Sequence, residues 1–233
     1  MKQSTAIVTG AAGALGSELS LLLIERGWSV VMLDKDRRGL EQAYDRISEQ
    51  AAGAGLLHPM DLAGATPDDF ADLLQTIETE CGGLDAIVHC AAHFESLAPS
   101  EHIQPQDWLV SMQVNLNAPW LLSAMALPLL RNSENGKLVF LLEDLDKVRG
   151  ALWGAYGVSK HALATLVNQL ALECRSSGID VRGIDPGPMR SGVRTRAYHA
   201  ENPAQMPSPQ FPALRIADFL ESKSAWAGVF VDL

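Results

Sequence analysis

The sequence predicts a doubly wound three-layer α/β/α sandwich on a parallel sheet of about seven strands, and three observations predict it. Short apolar, β-branched runs alternate with helical patterns along the chain; the first run ends in a glycine turn that opens a helix; the second ends on an acid, Asp34. Strand and helix in regular succession give right-handed βαβ units on a parallel sheet. At 233 residues, 47% hydrophobic and 20% charged, the chain is expected to form one domain over 1–233.

Thr5 to Val8 reads as the first strand. The turn Thr9-Gly10-Ala11-Ala12-Gly13-Ala14-Leu15-Gly16 follows, then a helical pattern from Ser17 to Arg26. Glycines in such a turn let the backbone approach a pyrophosphate, and the helix N-terminus supplies amide donors and a positive dipole end. Trp28 to Leu33 is the second strand, closed by Asp34, which is placed to accept hydrogen bonds from adenosine-ribose hydroxyls and so to favour NAD over NADP. Lys35, Arg37 and Arg38 follow at once and could accept a 2′-phosphate, which keeps NADP open.

The alternation continues with helix Gly39 to Gln50, strand Gly55 to Met60 ending at Asp61, helix Pro67 to Glu80 and strand Leu84 to Cys90. Ala91 and Ala92 follow that strand and are small enough for a ligand to lie against backbone. Trp108 to Leu130 is apolar almost all round, which predicts a helix covered on both sides, by the sheet and by a partner subunit. Asn115 and Asn117 interrupt it, either as a structural bridge or as part of a polar site. Lys137 to Leu142 is the fifth strand, Ala155 to Cys174 a helix and Ile179 to Ile184 the sixth strand. The proline-rich segment Pro186 to Pro212 carries Arg190, Arg194, Arg196 and His199 without clear period and reads as a binding loop or lid. A short helix, Pro212 to Leu220, and a strand, Ala227 to Val231, finish the chain.

Composition excludes several classes. A formal net charge of −10, from 28 acids against 18 Lys and Arg, argues against phosphate-backbone binding, so no nucleic-acid partner is expected. Three scattered cysteines without C-x-x-C spacing indicate neither a disulfide framework nor a zinc site, and point to a cytoplasmic protein. No signal peptide or membrane anchor is expected, because no long apolar segment follows a basic start. The six histidines form no ligand motif, and the one close pair, His89 and His93, is not expected to bind metal.

The chemistry centres on Tyr156-Gly157-Val158-Ser159-Lys160. Four residues apart on a helix, the phenol and the ammonium leave the same face one turn apart. An ammonium held close favours the phenolate and brings the tyrosine toward acid/base work at neutral pH.

On these residues, and in the order of every element, the sequence resembles the short-chain dehydrogenase/reductase family over essentially its whole length. The resemblance implies a Rossmann-like fold and hydride transfer between a nicotinamide cofactor, NAD with NADP possible, and an alcohol/carbonyl small-molecule substrate. It places Thr9, Gly10, Gly13, Leu15 and Gly16 in the cofactor turn, Asp34 on the ribose, Asp61 and Leu62 at the adenine and Ala91 beside the cofactor. Pro186, Gly187, Met189 and Ser191 fall beside the nicotinamide. It makes Tyr156 the general acid/base, has Lys160 hold the nicotinamide ribose and lower the phenol's pKa, and has Asn115 anchor a proton-relaying water. The all-round apolar Trp108 helix, with the Tyr156 helix, predicts a homodimer or homotetramer.

Several positions depart from the family pattern. Ala14 stands where the middle glycine of the turn usually falls, and the Asn-Asn-Ala-Gly stretch reads His89-Cys90-Ala91-Ala92. The serine that orients the substrate carbonyl aligns with Glu143, and no Ser or Thr occurs between Lys137 and Gly150. An ionised carboxylate there opposes both phenolate formation and the charge that builds on the substrate oxygen. Three readings stand: Glu143 is kept neutral and donates as the serine would; it binds a substrate amine or hydroxyl; or the chemistry is lost and a catalytically silent nucleotide-binding sensor or assembly protein remains.

Overall fold

Strand-by-strand alternation of side chains places half of each strand on either side of one sheet. On β1 (Thr5–Thr9) Ile7 joins one core and Ala6 and Val8 the other. The same alternation splits β2 (Ser29–Asp34) into Val31 and Leu33 against Val30 and Met32. It splits β5 (Lys137–Leu141) into Leu138 and Phe140 against Val139 and Leu141. A sheet buried on both faces needs a layer of helices on each, which is the sandwich expected from the sequence.

The computed structural model describes residues 3–47, 53–223 and 228–233. Its seven strands, completed by β3 (Gly55–Pro59), β4 (Ala86–His89), β6 (Asp180–Asp185) and β7 (Phe230–Asp232), run in the order β3-β2-β1-β4-β5-β6-β7, and every pairing is parallel. The helices are α1 (Ala14–Glu25), α2 (Arg37–Tyr44), α3 (Pro67–Cys81), α4 (Pro105–Met112), α5 (Ala118–Arg131), α6 (Leu145–Val148), α7 (Gly154–Glu173), α8 (Gly192–Ala197) and α9 (Gln210–Glu221). The core on the β1 Ile7 side takes residues of α3, α5 and α7, and the other takes residues of α1, α2 and α9. The direction of winding reverses between β1 and β4. A crevice therefore opens outside their carboxyl ends, where ligands of such sheets bind.

Four expectations change in detail. The second helix begins at Arg37 because the Asp36 side chain caps it, accepting from Gly39 N at 3.0 Å, and it ends at Tyr44; 48–50 lie outside the described residues. The last strand spans Phe230 to Asp232, and Ala227 lies outside the described residues. The apolar run from Trp108 divides into α4 and α5 around a π turn, Gln113–Asn117. With Trp120 50% and Leu109 62% exposed, the outer face of these two helices is uncovered in the single chain. The segment from 186 to 212 contains α8, capped by the Ser191 side chain on Arg194 N at 3.2 Å, and a 3-10 turn, Pro203–Gln205. Six residues of α8 are too few for a helical period to show among the prolines. No helix among the described residues is long and apolar enough to cross a membrane.

Candidate active site

A cleft of about 310 Å³ fills the crevice at the carboxyl ends of the central strands. Gly10, Gly13, Leu15, Gly16, Asp34, Asp61, Leu62, Ala91, Glu143, Tyr156, Lys160, Pro186, Gly187, Met189 and Ser191 all line it. Thr9 and Asn115 lie behind its wall.

At one end the chain is drawn tight around bare backbone. Gly10 has φ +67°, and a Cβ there would stand 2.7 Å from Ala91 N; a Cβ on Gly16 would overlap the Gly10 carbonyl. Both positions therefore require glycine, and the Ala14 departure falls between them without filling that space. Thr9, 1% exposed, accepts from Ala91 N at 3.2 Å and ties the turn to the end of β4. The cap residue of α1, Gly13, has no side chain to satisfy the first amides of the helix, so they remain free for an anionic group in the cleft. Asp34 closes this end. Its Oδ2 accepts from Ala12 N at 3.0 Å and its Oδ1 from Asp36 N at 3.0 Å, which fixes the carboxylate against the turn. Lys35 lines the cleft beside it.

At the other end Tyr156 and Lys160 project from the first turns of α7, both buried. The Tyr156 hydroxyl donates to Glu143 Oε2 at 3.3 Å, and the Lys160 ammonium donates to the Leu141 carbonyl at 2.6 Å. Lys160 Nζ stands 5.5 Å from the centroid of the Tyr156 ring. This corrects the expectation that the ammonium lowers the phenol's pKa. Burial, then the charge and hydrogen bond of Glu143, then Asp185 push the phenol well above its ordinary value. Burial lowers Lys160 to about 8, although Glu143, Cys90 and Asp185 pull it upward. Burial also raises the Glu143 carboxyl, with Lys160 opposing and Asp185 reinforcing. Cys90, half-buried near Lys160, is pushed up to about 12 by desolvation, with Lys160 opposing. Asp185 is raised by burial and accepts from Gly187 N at 2.9 Å, in a turn where Gly187 has φ +69°.

Asn115, 1% exposed, is a bridge. Its Oδ1 accepts from His93 N at 2.7 Å, while its Nδ2 donates to His93 O at 2.9 Å and to Ser159 Oγ at 3.0 Å. It ties the chain after β4 to α7 at Ser159, the residue before Lys160. His89 is buried in the sheet, stacked on Phe140 with centroids 4.7 Å apart and 2.9 Å from Ser123 Oγ.

Sequence reasoning missed the aromatic wall of the cleft. Trp153 and Tyr198 line it with Tyr156, and Phe94 packs 5.4 Å from Trp153 and 5.1 Å from Tyr156. Arg196 also lines it and donates to Phe94 O at 2.9 Å. The signal for Trp153 was its place one turn before Tyr156; Tyr198 carried none, and Arg196 was legible only as one basic residue of the 186–212 segment, because both positions depend on α8. Leu152, just before Trp153, has φ +76°, a backbone strain of the kind held at functional sites.

A doubly wound parallel sheet with a glycine cradle at its switch point, and a buried Tyr/Lys pair across the same crevice, defines a Rossmann-like α/β protein equipped for acid/base chemistry. The chain belongs to the short chain dehydrogenase family of oxidoreductases, whose model matches residues 4–202. It is 32% identical over 203 residues to the uncharacterized oxidoreductase YciK of Escherichia coli, covering 87% of this chain and 80% of that one. A solved structure described as a short chain dehydrogenase from Pseudomonas syringae superposes with a TM-score of 0.90 at 30% identity, over 99% of this chain and 94% of the other. Another, from Shigella flexneri 2a and complexed with NADP, gives 0.92 at 28% identity, over 100% and 97%.

Proposed function

We propose that this chain is a nicotinamide-dependent oxidoreductase acting on an alcohol/carbonyl pair, with Tyr156 as the general acid/base. The observation that carries the proposal is that one cleft holds both the glycine cradle at α1 and the Tyr156/Lys160 pair at α7. The free amides of α1 would hold the pyrophosphate, Asp34 the adenosine ribose, Asp61 and Leu62 the adenine, and Lys160 the nicotinamide ribose. Met189 and Ser191 would flank the carboxamide, and Ala91 leaves backbone for close approach. A bound nicotinamide nucleotide supplies or accepts the hydride. Tyr156 gives its hydroxyl proton to the carbonyl oxygen in reduction and takes it back in oxidation. Trp153, Tyr198 and Glu143 bound the space left for substrate.

Two features bear on the nucleotide. Asp34 at the ribose end supports NAD(H), because its carboxylate repels a 2′-phosphate. Lys35 beside it, and the NADP held by the Shigella flexneri structure, support NADP(H) as the second reading. Glu143 at the serine position favours one rival of another class, a silent nucleotide-binding protein on the same fold. The uncovered apolar face of α4 and α5, with Trp120 and Leu109, supports a homodimer or homotetramer.

The test is a titration of the purified protein with NADH and with NADPH, read as energy transfer from tryptophan, Trp153 standing in the cleft, to the reduced nicotinamide. Saturable binding with transfer is expected, tighter for NADH. Binding of neither would overturn the proposal.

A further inference from the structure

Tyr156 is 4% exposed and its hydroxyl points to a single carboxylate oxygen, Glu143 Oε2, at 3.3 Å. Glu143 itself is only half-buried and borders the cleft. Both side chains border the cleft, and the carboxyl is the more exposed of the two. Lys160 donates to the Leu141 carbonyl at 2.6 Å, and its Nζ lies 5.5 Å from the centroid of the Tyr156 ring. We propose that Glu143 is the proton partner of Tyr156, so that this chain's acid/base unit is a carboxyl–phenol couple that exchanges protons with solvent through Glu143. The proposal deepens the oxidoreductase reading and rests on it for its chemical use.

The surroundings fit such a couple. Glu143 is faced by Tyr156 and Lys160 from α7, by Asp185 from the end of β6 and by the Asp144 backbone amide. Beyond these, Cys90 stands beside Lys160, and Asp144, Lys147 and Asp232 stand around Asp185. A phenolate beside ionised Glu143 would put two anions in contact in a buried site, so the carboxyl ionises first and the phenol keeps its proton. In reduction, the substrate carbon gains hydride while its oxygen takes the Tyr156 proton. The Tyr156 O–H bond is remade with the proton of the Glu143 carboxyl, which ends as a carboxylate facing the Lys160 ammonium. Oxidation runs the same transfers backward: Tyr156 takes the alcohol proton as its own passes to Glu143, and solvent removes it. One proton is consumed per carbonyl reduced, which balances the hydride. Glu143 acts through Tyr156 and is a positioning residue in this scheme.

The test uses the protein without nucleotide. Tyrosinate absorbance is followed with pH in the wild type and in Tyr156→Phe, and their difference isolates Tyr156 from Tyr44 and Tyr198. The same pair of curves is then taken in the Glu143→Gln background, with circular dichroism to check folding. With the carboxylate gone, Tyr156 is expected to ionise at least about one pH unit lower, a tenfold change in its proton affinity. Glu143→Ser, smaller and also neutral, is read the same way and serves if Glu143→Gln does not fold. A Tyr156 midpoint that does not move in the folded variant would overturn the proposal, even with NADH binding intact. A shifted midpoint in a protein that binds neither NADH nor NADPH would leave the couple standing and remove the oxidoreductase reading instead.

Discussion

The Tyr156 hydroxyl lies 3.3 Å from a Glu143 carboxylate oxygen, and the Lys160 ammonium, one turn further along the same helix, is bonded to a main-chain carbonyl. In this site the nearest ionisable neighbour of the phenol is an acid. The buried tyrosine is thereby held protonated, and the burden of changing charge falls on the carboxyl and on Lys160, itself lowered to about 8.

The glycine cradle makes a direct prediction. Gly10→Ala must hold an alanine at φ +67° with its Cβ 2.7 Å from Ala91 N. The left-handed backbone and the displacement of the β4 turn together cost about 1–3 kcal/mol. Urea unfolding is expected to show that loss, and NADH titration a weakened site; a variant as stable as the wild type with unchanged binding would contradict the reading of this turn.

Asn115 separates a bridge from a relay. Asn115→Ala leaves the His93 amide and carbonyl and Ser159 Oγ each short of a partner, for an expected loss of about 2–4 kcal/mol in chemical denaturation. Unchanged stability with lost turnover would instead favour the water-anchoring role that the family resemblance implies.

His89 sets a pH dependence. Burial against Phe140 pushes it down to about 3, from an ordinary value of 6.5. Between those two values the unfolded chain binds a proton that the folded chain refuses, so stability falls as the pH falls through this window, by up to about 1.4 kcal/mol per pH unit. Urea unfolding at several pH values between 6 and 4 is expected to give a shallower acid slope for His89→Leu than for the wild type. Equal slopes would show that His89 can be charged in the folded protein.

Most of the fold was legible because a sheet buried on both faces writes continuous apolar runs, and those of β1, β2, β3 and β6 close on Gly10, Asp34, Asp61 and Asp185-Pro186, which mark their boundaries. Gly10, Gly16 and Asp34 were legible for the same reason: a tight turn at the end of a buried strand admits few residues. The run from Trp108 to Leu130 hid its π turn, since apolar periodicity does not report a single residue added to a helix, and Asn115 and Asn117 were its signs. Tyr156 and Lys160 were found by their spacing, but spacing could not say which group the phenol would meet. Glu143 approaches from β5, a different element, and the hydrogen bond exists only once α7 lies across that strand. The same holds for Tyr198 and Arg196, which reach the cleft through the short helix α8.

The role of Tyr156 as general acid is tested most directly by turnover of Tyr156→Phe. NADH oxidation by the wild type is followed against a panel of small ketones, and the variant is assayed on whichever ketone is reduced, with NADH affinity measured alongside. NADH binding is expected within about twofold of the wild type, with a rate lower by at least about a hundredfold, the size of a lost general acid. A Tyr156→Phe protein that reduces the ketone at the wild-type rate would contradict that role.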